Sequence, residues 1–227
     1  MPSLAIALPP PLREGDRLDG AEFLRRWEAM PDLKSTELIG GIVFMPSPVS
    51  LSHSTLTNAM NAWLWLYKDL TAGCESGGEG TWVMGAKDVP QPDATLRILP
   101  EHGGQSAEAG GYGAGAPELI VEVSGSSSSR DLGAKLELYR RAGVREYLTI
   151  LLQPRQVIWR RLARGRYLEL APGSDGLLRS AAFPGLWLDP AALWNPKKSL
   201  RPAVELGVQS PEHAAFVRRL AAAAKRK

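Results

Sequence analysis

The order of hydrophobic and polar positions predicts that helices and strands alternate along this chain. Apolar residues recur at helical spacing over residues 56–67, which predicts a long helix with one buried face. Residues 118–124 (ELIVEVS) are the strongest strand candidate, and residues 130–142 are patterned as a helix that Gly143 ends. Residues 146–170 are then typical of three strands in a meander.

Weaker signals complete the predicted set of elements. Asp19 is a suitable N-cap for a short amphipathic helix, and Gly40-Gly41 interrupts an apolar stretch as a hairpin turn or bulge does. The remaining predictions are two short strands, a glycine-rich loop and a final alanine-rich helix, at residues 81–84, 92–98, 100–116 and 211–224. The pattern predicts a mixed α/β fold, with a central sheet and helices on its faces.

The composition excludes several classes of protein. The 227 residues include one cysteine and three histidines, so neither a disulfide framework nor a zinc site rich in these residues is expected. The apolar runs fall short of the ~18 residues that a membrane span needs, and the first residues lack the pattern of a signal peptide. We therefore expect a cytoplasmic protein that has no membrane partner.

Proline content and charge divide the chain into three predicted parts. A proline-rich arm covers residues 1–18, one domain covers residues 19–196, and a basic helical tail covers residues 197–227. Within the domain, residues 130–166 contain ten basic and three acidic residues, although the net charge of the whole chain is only +3. Such a segment is either the footprint of a polyanion or a set of solvated helix and strand faces.

Two ionisable residues stand where the pattern favours apolar ones. Glu122 lies between Val121 and Val123 in the strongest strand, where an unpaired carboxylate would be costly to bury. Lys135 stands inside the apolar stripe of the helix that follows. This helix can bring the ammonium back over the carboxyl end of the strand, where sites in α/β proteins gather. Alternatively, Glu122 emerges into solvent and Lys135 extends along the edge of the core.

Two further carboxylates stand at the entrance of apolar strands. Asp93 begins the segment DATLRI, and Glu37 lies in the segment TELI. The ordinary explanation of Asp93 is that it forms part of a turn. The ordinary explanation of Glu37 is that it lies at a strand end and emerges into solvent. Together with Glu122 and Lys135, however, they suit a hard cation such as Mg²⁺, which binds oxygen ligands and keeps several waters. The metal would hold a phosphate oxygen and activate a water, and Lys135 would position that water or neutralise developing charge.

The same residues carry a resemblance to known nucleases. Pro92-Asp93, then Glu122-Val123 on a later strand and then a lysine are similar to the motif of the PD-(D/E)XK nuclease superfamily. The chain resembles more closely the Uma-two (Uma2) family, described as restriction endonucleases, in five blocks that follow the family's order. These blocks are TELIGGIVFMPSPVSLSH, QPDATLRILPEHGG, GAPELIVEVSGSSSSRDLGAKLELYRRAGVREY, FPGLWLD and PEHAAFV. The resemblance implies a restriction-endonuclease-like core, with a central mixed β-sheet flanked by helices.

The resemblance also implies a role for each of the four residues. Asp93 and Glu122 would be metal ligands, Glu37 would complete the acidic site, and Lys135 would be the catalytic lysine. The short motif of the superfamily has a lysine two residues after the glutamate, and Ser124 stands there in this chain. The lysine therefore has to come from the following helix, and a Lys135 that did not reach the site would leave the chain inactive.

The predicted function is that of an endodeoxyribonuclease that uses Mg²⁺ or Mn²⁺ as its cofactor and DNA as its partner. Arg130, Arg140 and Arg141 are candidate contacts to the DNA backbone. His53, which the family pattern also contains, either contacts a phosphate at a helix N-terminus or only caps that helix. No helix-turn-helix or zinc finger is apparent, so little base specificity is expected.

Two other functions stay open on the sequence alone. A nuclease fold that has lost turnover would act as a DNA-binding or assembly module, which Ser124 and the acidic balance of residues 1–196 favour. A metal-independent hydrolase would use His53 with a serine. Apolar segments that contain tryptophan, together with the basic C-terminal helix, are compatible with a homodimer.

Overall fold

The computed structural model describes residues 8–125 and 128–226. Its α-helices are Gly20–Glu28 (α1), Leu51–Asp69 (α2), Ser128–Asp131 (α3), Ala134–Ala142 (α4), Arg201–Val208 (α5) and Pro211–Ala224 (α6). Short 3₁₀ helices cover Pro100–His102 and Pro190–Trp194. The side chains of Asp19, Ser50 and Ser210 cap α1, α2 and α6, each by accepting a hydrogen bond from the backbone N–H three residues later.

The strands form one large sheet and three small ones. They are Glu37–Ile39 (β1), Ile42–Phe44 (β2), Cys74–Gly77 (β3), Trp82–Val83 (β4), Ala94–Ile98 (β5), Ala107–Ala109 (β6), Tyr112–Ala114 (β7), Leu119–Ser124 (β8), Glu146–Leu151 (β9), Gln156–Ala163 (β10), Arg166–Glu169 (β11), Leu178–Arg179 (β12) and Trp187–Leu188 (β13). The large sheet has the order β11-β10-β9-β8-β5-β3. The small sheets are β1-β2, β12-β13 and β4-β7-β6.

The central sheet is mixed, as the resemblance implied. Strands β8 and β9 are parallel, with Glu122 opposite Thr149, and the chain between them contains α3 and α4. The other neighbouring strands of this sheet are antiparallel. The predicted α/β fold with a central mixed sheet flanked by helices is therefore confirmed.

The two faces of β8 pack into different cores. Leu119, Val121 and Val123 belong to the main core, to which α2, α5 and α6 also contribute. Ile120 belongs to a second core, which contains Tyr139 of α4. Because side chains alternate along a strand, Glu122 and Ser124 project on the same side as Ile120, towards α4.

A hairpin near the N-terminus brings the first carboxylate to the sheet. Strands β1 and β2 turn at Gly40 and Gly41, whose φ angles of 61° and 81° match a tight turn that only glycine adopts easily. Leu38 exchanges both backbone hydrogen bonds with Val89, at 3.1 and 2.7 Å. This pairing fixes Glu37 next to the segment that enters β5.

The C-terminal helices pack onto the main core. Helix α6 has the predicted bounds, and Phe216 and Leu220 on it are buried together with Val204 of α5. The division of the chain at residues 18 and 196 stays a prediction. No helix among residues 8–125 and 128–226 is long and apolar enough to cross a membrane.

Two predicted elements differ in the structure. The glycine-rich loop predicted over residues 100–116 contains the first 3₁₀ helix and the hairpin β6–β7. The ring of Trp82 lies against Gly113, where an added Cβ would come within 2.4 Å of it, so packing requires glycine in this strand. The helix predicted over residues 130–142 is two helices, α3 and α4, separated at Leu132-Gly133.

Candidate active site

Glu122 lies at the base of the candidate site. The residue is only 3% exposed, so it does not emerge into solvent at a strand end. Its Oε1 accepts a hydrogen bond from Lys135 Nζ at 2.9 Å and another from the Tyr139 hydroxyl at 2.7 Å. Helix α4 therefore supplies both donors, because positions 135 and 139 are one turn apart on the face that packs on the sheet.

Lys135 joins two of the predicted carboxylates. Its Nζ is 2.9 Å from Glu122 Oε1 and 2.9 Å from Glu37 Oε1, and the residue is 4% exposed. The lysine therefore does not extend along the core edge into solvent. The expectation that the returning helix carries the ammonium over the end of the strand is met in the structure.

Glu37 is held from the opposite side by the backbone. Its Oε1 also accepts the N–H of Gln91 at 2.8 Å, and its Oε2 is 4.0 Å from Arg130 Nη1. The hairpin β1–β2 and the segment before β5 therefore fix this carboxylate against α4. A residue distant in the sequence thus completes the surroundings of Lys135.

Asp93 lies just before β5 and is anchored to β8. Its Oδ2 accepts the N–H of Val123 at 2.7 Å, and Asn61 donates its side-chain N–H to the Asp93 carbonyl at 3.1 Å. His53 Nε2 is 3.6 Å from the same Oδ2, and His53 Nδ1 is 3.4 Å from Thr57 Oγ1. Both the acid and the imidazole therefore border the site, while Ser50 caps the helix that carries His53.

Asp131 is a site residue that the sequence analysis missed. It is 2% exposed at the end of α3, and its Oδ1 is 3.9 Å from Lys135 Nζ. Ser124 Oγ donates to its Oδ2 at 2.6 Å, and Tyr147 donates its hydroxyl to the Asp131 carbonyl at 2.9 Å. The spacing of four residues between Asp131 and Lys135 was the available signal, but the same spacing is common on solvated helices.

These side chains line one open cavity of about 200 Å³. Carboxylates outnumber fixed cations on its wall, because the acids are Glu37, Glu79, Asp93, Glu122 and Asp131 and the cations are Lys135 and Arg130. His53 also lines it. The cavity therefore has an excess of negative charge.

Burial and the surrounding charges together perturb the acid–base properties of the site. Burial raises the pKa of Glu122 well above its ordinary value, and the nearby carboxylates of Asp131, Asp93 and Glu37 add to this against Lys135. Burial also raises the pKa of Asp93, although the Val123 N–H and His53 act in the opposite direction. Burial lowers the pKa of Lys135, but the surrounding carboxylates outweigh it and raise that pKa above its ordinary value. Lys135 is therefore a stable ammonium.

The donor set fits a hard divalent cation in its chemistry. Its ligand atoms would be carboxylate oxygens, and a cation would offset the negative charge that burial leaves poorly solvated. In residues 8–125 and 128–226, however, no three Asp, Glu, His or Cys side chains are already grouped for metal coordination. The ammonium of Lys135 lies between Glu37 and Glu122 instead. The ligand set Asp93, Glu122 and Glu37 therefore stays a prediction.

The candidate DNA contacts lie in different places. Arg130 lines the cavity, where its guanidinium lies 4.3 Å from the centre of the Phe44 ring. Arg140 pairs with Glu137 and donates to the Gly165 carbonyl at 2.7 Å, and Arg141 is 3.3 Å from Asp88. The structure thus brings Arg130 and His53 to the site but places Arg140 and Arg141 outside its wall. Their contacts to DNA stay predictions.

This chain is similar to a known protein family and to solved structures. A model of the Uma2 family, whose description is "Putative restriction endonuclease", matches residues 21–191. The chain is also similar to the crystal structure of a "putative nuclease belonging to DUF820" from Anabaena variabilis ATCC 29413. That similarity has 15% sequence identity and a TM-score of 0.49, and it covers 65% of this chain and 88% of the other. No curated protein matches.

The family match covers about three quarters of the chain and every residue of the site described above. It includes the hairpin that carries Glu37, the strands next to Asp93 and Glu122, and the helix that carries Lys135. This chain belongs to the Uma2 family of putative restriction endonucleases.

Proposed function

We propose that this chain is a DNA endonuclease that hydrolyses phosphodiester bonds with the help of Mg²⁺ or Mn²⁺. Membership of the Uma2 family supports a nuclease-like function in general terms. The observation that supports metal-dependent cleavage of DNA is the open cavity, in which a buried ammonium lies among an excess of carboxylates.

The excess of carboxylates is difficult to explain as a stabilising feature. A buried carboxylate without a matching cation costs free energy, and a raised pKa is the sign of that cost. Glu79 is exposed, but one lysine and one arginine still leave the other four carboxylates, Glu37, Asp93, Glu122 and Asp131, incompletely balanced in charge. A divalent cation would complete the balance, and sites that perturb several pKa values in a cleft are candidates for function.

Asp93 and Glu122 are the residues that would hold the metal, with Glu37 completing the acidic set. When bound, the metal would supply Lewis-acid activation of a water and of a phosphate oxygen. The chain restricts each acid before anything binds, because Asp93 is tied to Val123 and Glu122 is tied to α4. Such restraint lowers the cost of ordering the site.

Lys135 is the residue that would stabilise charge on the phosphate. Its raised pKa keeps it protonated, and it lines the cavity with its ammonium fixed by two carboxylates. A fixed positive charge aimed at a place where negative charge develops lowers the barrier without reorganising during the reaction.

Arg130 would hold the DNA backbone at the rim. Its side chain is about one third exposed, so the guanidinium can meet both the cavity and solvent. His53 lies at the other side of Asp93 and can donate to a phosphate oxygen or orient the acid. Contacts of this kind position a substrate but do not read its sequence.

Cleavage of plasmid DNA tests the proposal directly. The wild-type chain should nick supercoiled plasmid with Mg²⁺ or Mn²⁺, and Asp93→Asn and Lys135→Met should each abolish nicking. Asp175→Asn is the matched control, because Asp175 is an exposed acid paired with Arg179 outside the cavity. Undiminished nicking by both site variants would refute the assigned roles.

A calorimetric titration separates catalysis from binding alone. The nuclease should bind a short DNA duplex more tightly when Mg²⁺ is present, because a cation held by Asp93 and Glu122 would reduce the repulsion between the acidic site and the phosphates. Binding that does not depend on Mg²⁺, with no cleavage, would favour the DNA-binding or assembly module instead.

A further inference from the structure

We propose that Tyr139 is a positioning residue that anchors one oxygen of the Glu122 carboxylate and so leaves the other oxygen to a divalent cation in the cavity. This inference rests on the metal site of the proposed nuclease. Neither the motif nor the resemblance assigns a role to Tyr139, which helix α4 supplies together with Lys135.

The first part of the argument is that two donors use the same oxygen of Glu122. Lys135 Nζ and the Tyr139 hydroxyl both donate to Oε1, at 2.9 and 2.7 Å. Within residues 8–125 and 128–226, the other oxygen, Oε2, accepts no hydrogen bond. Glu122 also lines the cavity, so this carboxylate has one oxygen engaged by the protein and one available to a cation.

The second part is that Lys135 alone would hold the carboxylate loosely. Its Nζ is shared between two acids, because it is also 2.9 Å from Glu37 Oε1. It ends a flexible four-carbon chain and has three rotatable donors, so it does not favour one orientation of the carboxylate over another. Lys135 therefore supplies positive charge to Glu122 but little control of its direction.

The third part is that Tyr139 is rigid. The residue is 0% exposed, and its ring packs edge-on against that of Tyr147, with 5.0 Å between the ring centres. Ile120 and Leu138 belong to the same core. Close packing on several sides holds the ring, and with it the hydroxyl, in one position. Burial also raises the pKa of Tyr139, so the hydroxyl keeps its proton and remains a donor.

A rigid hydroxyl has a definite effect on the carboxylate. Turning the Glu122 carboxylate so that Oε2 meets Lys135 would move Oε1 away from Tyr139 and leave a buried hydroxyl without its acceptor, which costs free energy. The hydrogen bond from Tyr139 therefore favours the orientation in which Oε1 stays inside the fold. Without it, the ammonium can take either oxygen, and the cavity loses a ligand that was oriented in advance.

A titration with Mn²⁺ tests this inference without DNA. Tyr139→Phe keeps the ring and removes only the hydroxyl. It should raise the Kd of the metal-free chain for Mn²⁺ about ten-fold in calorimetry, because loss of a group that orients a metal ligand commonly weakens binding by that factor or more. A Kd equal to that of the wild type would overturn the proposal.

Tyr67→Phe is the matched control. Tyr67 is also 0% exposed, and its hydroxyl donates to the Pro184 carbonyl at 2.9 Å, but it does not line the cavity. Both variants lose one buried hydrogen bond, so both should lower the melting temperature, whereas only Tyr139→Phe should change the Kd for Mn²⁺. An equal rise in Kd for the two variants would point to a general loosening of the fold and contradict the proposal.

A double-mutant cycle shows whether Tyr139 acts through Glu122. Glu122→Gln alone should weaken Mn²⁺ binding, because it replaces a proposed ligand. Adding Tyr139→Phe to that variant should then change the Kd little, since the carboxylate that the hydroxyl orients is gone. The same fold-change in both backgrounds would show that Tyr139 acts elsewhere, and the inference would be wrong.

Nicking of plasmid DNA separates this inference from the nuclease proposal. In a chain that cleaves, Tyr139→Phe should raise the Mn²⁺ concentration for half-maximal nicking about ten-fold and lower the rate at saturating Mn²⁺ by a smaller factor. If the wild-type chain binds Mn²⁺ but never nicks DNA, the nuclease proposal fails while the Kd values still decide the inference. A wild-type chain that binds no Mn²⁺ would refute both.

Discussion

Three glutamates are buried along the adjoining strands β8 and β9, and their surroundings differ sharply. Glu118, just before β8, accepts the backbone N–H groups of Ile98 and Gln105 at 2.9 and 3.1 Å. Glu146, the first residue of β9, accepts from Trp159 and Ser180 side chains and from two backbone N–H groups. Neither lines the acidic cavity.

Glu122 has a different kind of partner. It accepts hydrogen bonds from the side chains of Lys135 and Tyr139, and further acids stand close enough to raise its pKa. Burial alone therefore does not distinguish a functional carboxylate from a structural one. A buried carboxylate whose hydrogen-bond donors are backbone N–H groups and neutral side chains holds a loop in place. A carboxylate that shares a lysine with other acids beside a cavity is instead a candidate for ligand binding.

The largest expected effect is that of Lys135→Met. Removing the cation from a buried ion pair should lower the free energy of unfolding by about 3–5 kcal/mol at pH 8. The loss should be smaller at pH 5. Burial already raises the pKa of Glu122 above its ordinary 4.5, and Lys135 acts against that rise, so removal of the ammonium raises this pKa further. The folded variant therefore binds a proton at Glu122 more readily than the wild type does, and it loses more stability as pH rises.

Urea unfolding at the two pH values measures this difference. Lys198→Met, which removes an exposed lysine 3.3 Å from Asp189, is the control and should change little at either pH. An equal loss at pH 5 and pH 8 for Lys135→Met would mean that the carboxylates around it are not the cause.

The second-largest loss of stability is expected for Glu146→Ala, which tests whether Glu146 has only a structural role. It leaves several buried donors without an acceptor and should cost about 3 kcal/mol of unfolding free energy. The protein that remains folded should cleave DNA at the wild-type rate. Loss of cleavage in a sample shown to be folded by circular dichroism would place Glu146 among the functional residues.

The smallest effect on stability is expected for Glu122→Gln. The amide keeps the shape and removes a charge that burial makes costly, so the unfolding free energy should stay within about 1 kcal/mol of wild type or rise. Nicking of plasmid DNA should nevertheless be lost, because Glu122 is a proposed metal ligand. A large fall in melting temperature would show that Glu122 resembles Glu146 after all.

Periodicity made part of this comparison predictable. The apolar neighbours of Glu122 in the strongest predicted strand indicated a buried position, and the apolar stripe of the following helix indicated that Lys135 faces the sheet. Both are buried in the structure, and Lys135 contacts Glu122. Local signals pointed to this contact because a strand followed by a returning helix leaves few ways to place the two side chains, but they did not exclude that either side chain reaches solvent.

Other features depend on contacts between distant residues and had no local signal. In the sequence, Asp131 has no feature that distinguishes it from an ordinary surface acid next to Arg130. Its contact with Ser124 is formed only by the fold. Strands β6 and β7 were missed because glycine hides alternation, and Gly113 is needed by the ring of Trp82, which lies far away in sequence. The roles of Asp93, Glu37, His53 and the arginines in binding metal or DNA await the experiments above.

The four site residues lie far apart along the sequence, and this has a consequence for when the site can form during synthesis and folding. Glu37 comes from a hairpin, Asp93 from the entrance of one strand, Glu122 from another strand and Lys135 from a helix. The four residues span positions 37–135, so a growing chain lacks the full set until Lys135 has been added, and a cut within that span divides the set between two fragments. If the chain cleaves DNA as we propose, that activity begins only after folding has brought the four side chains together.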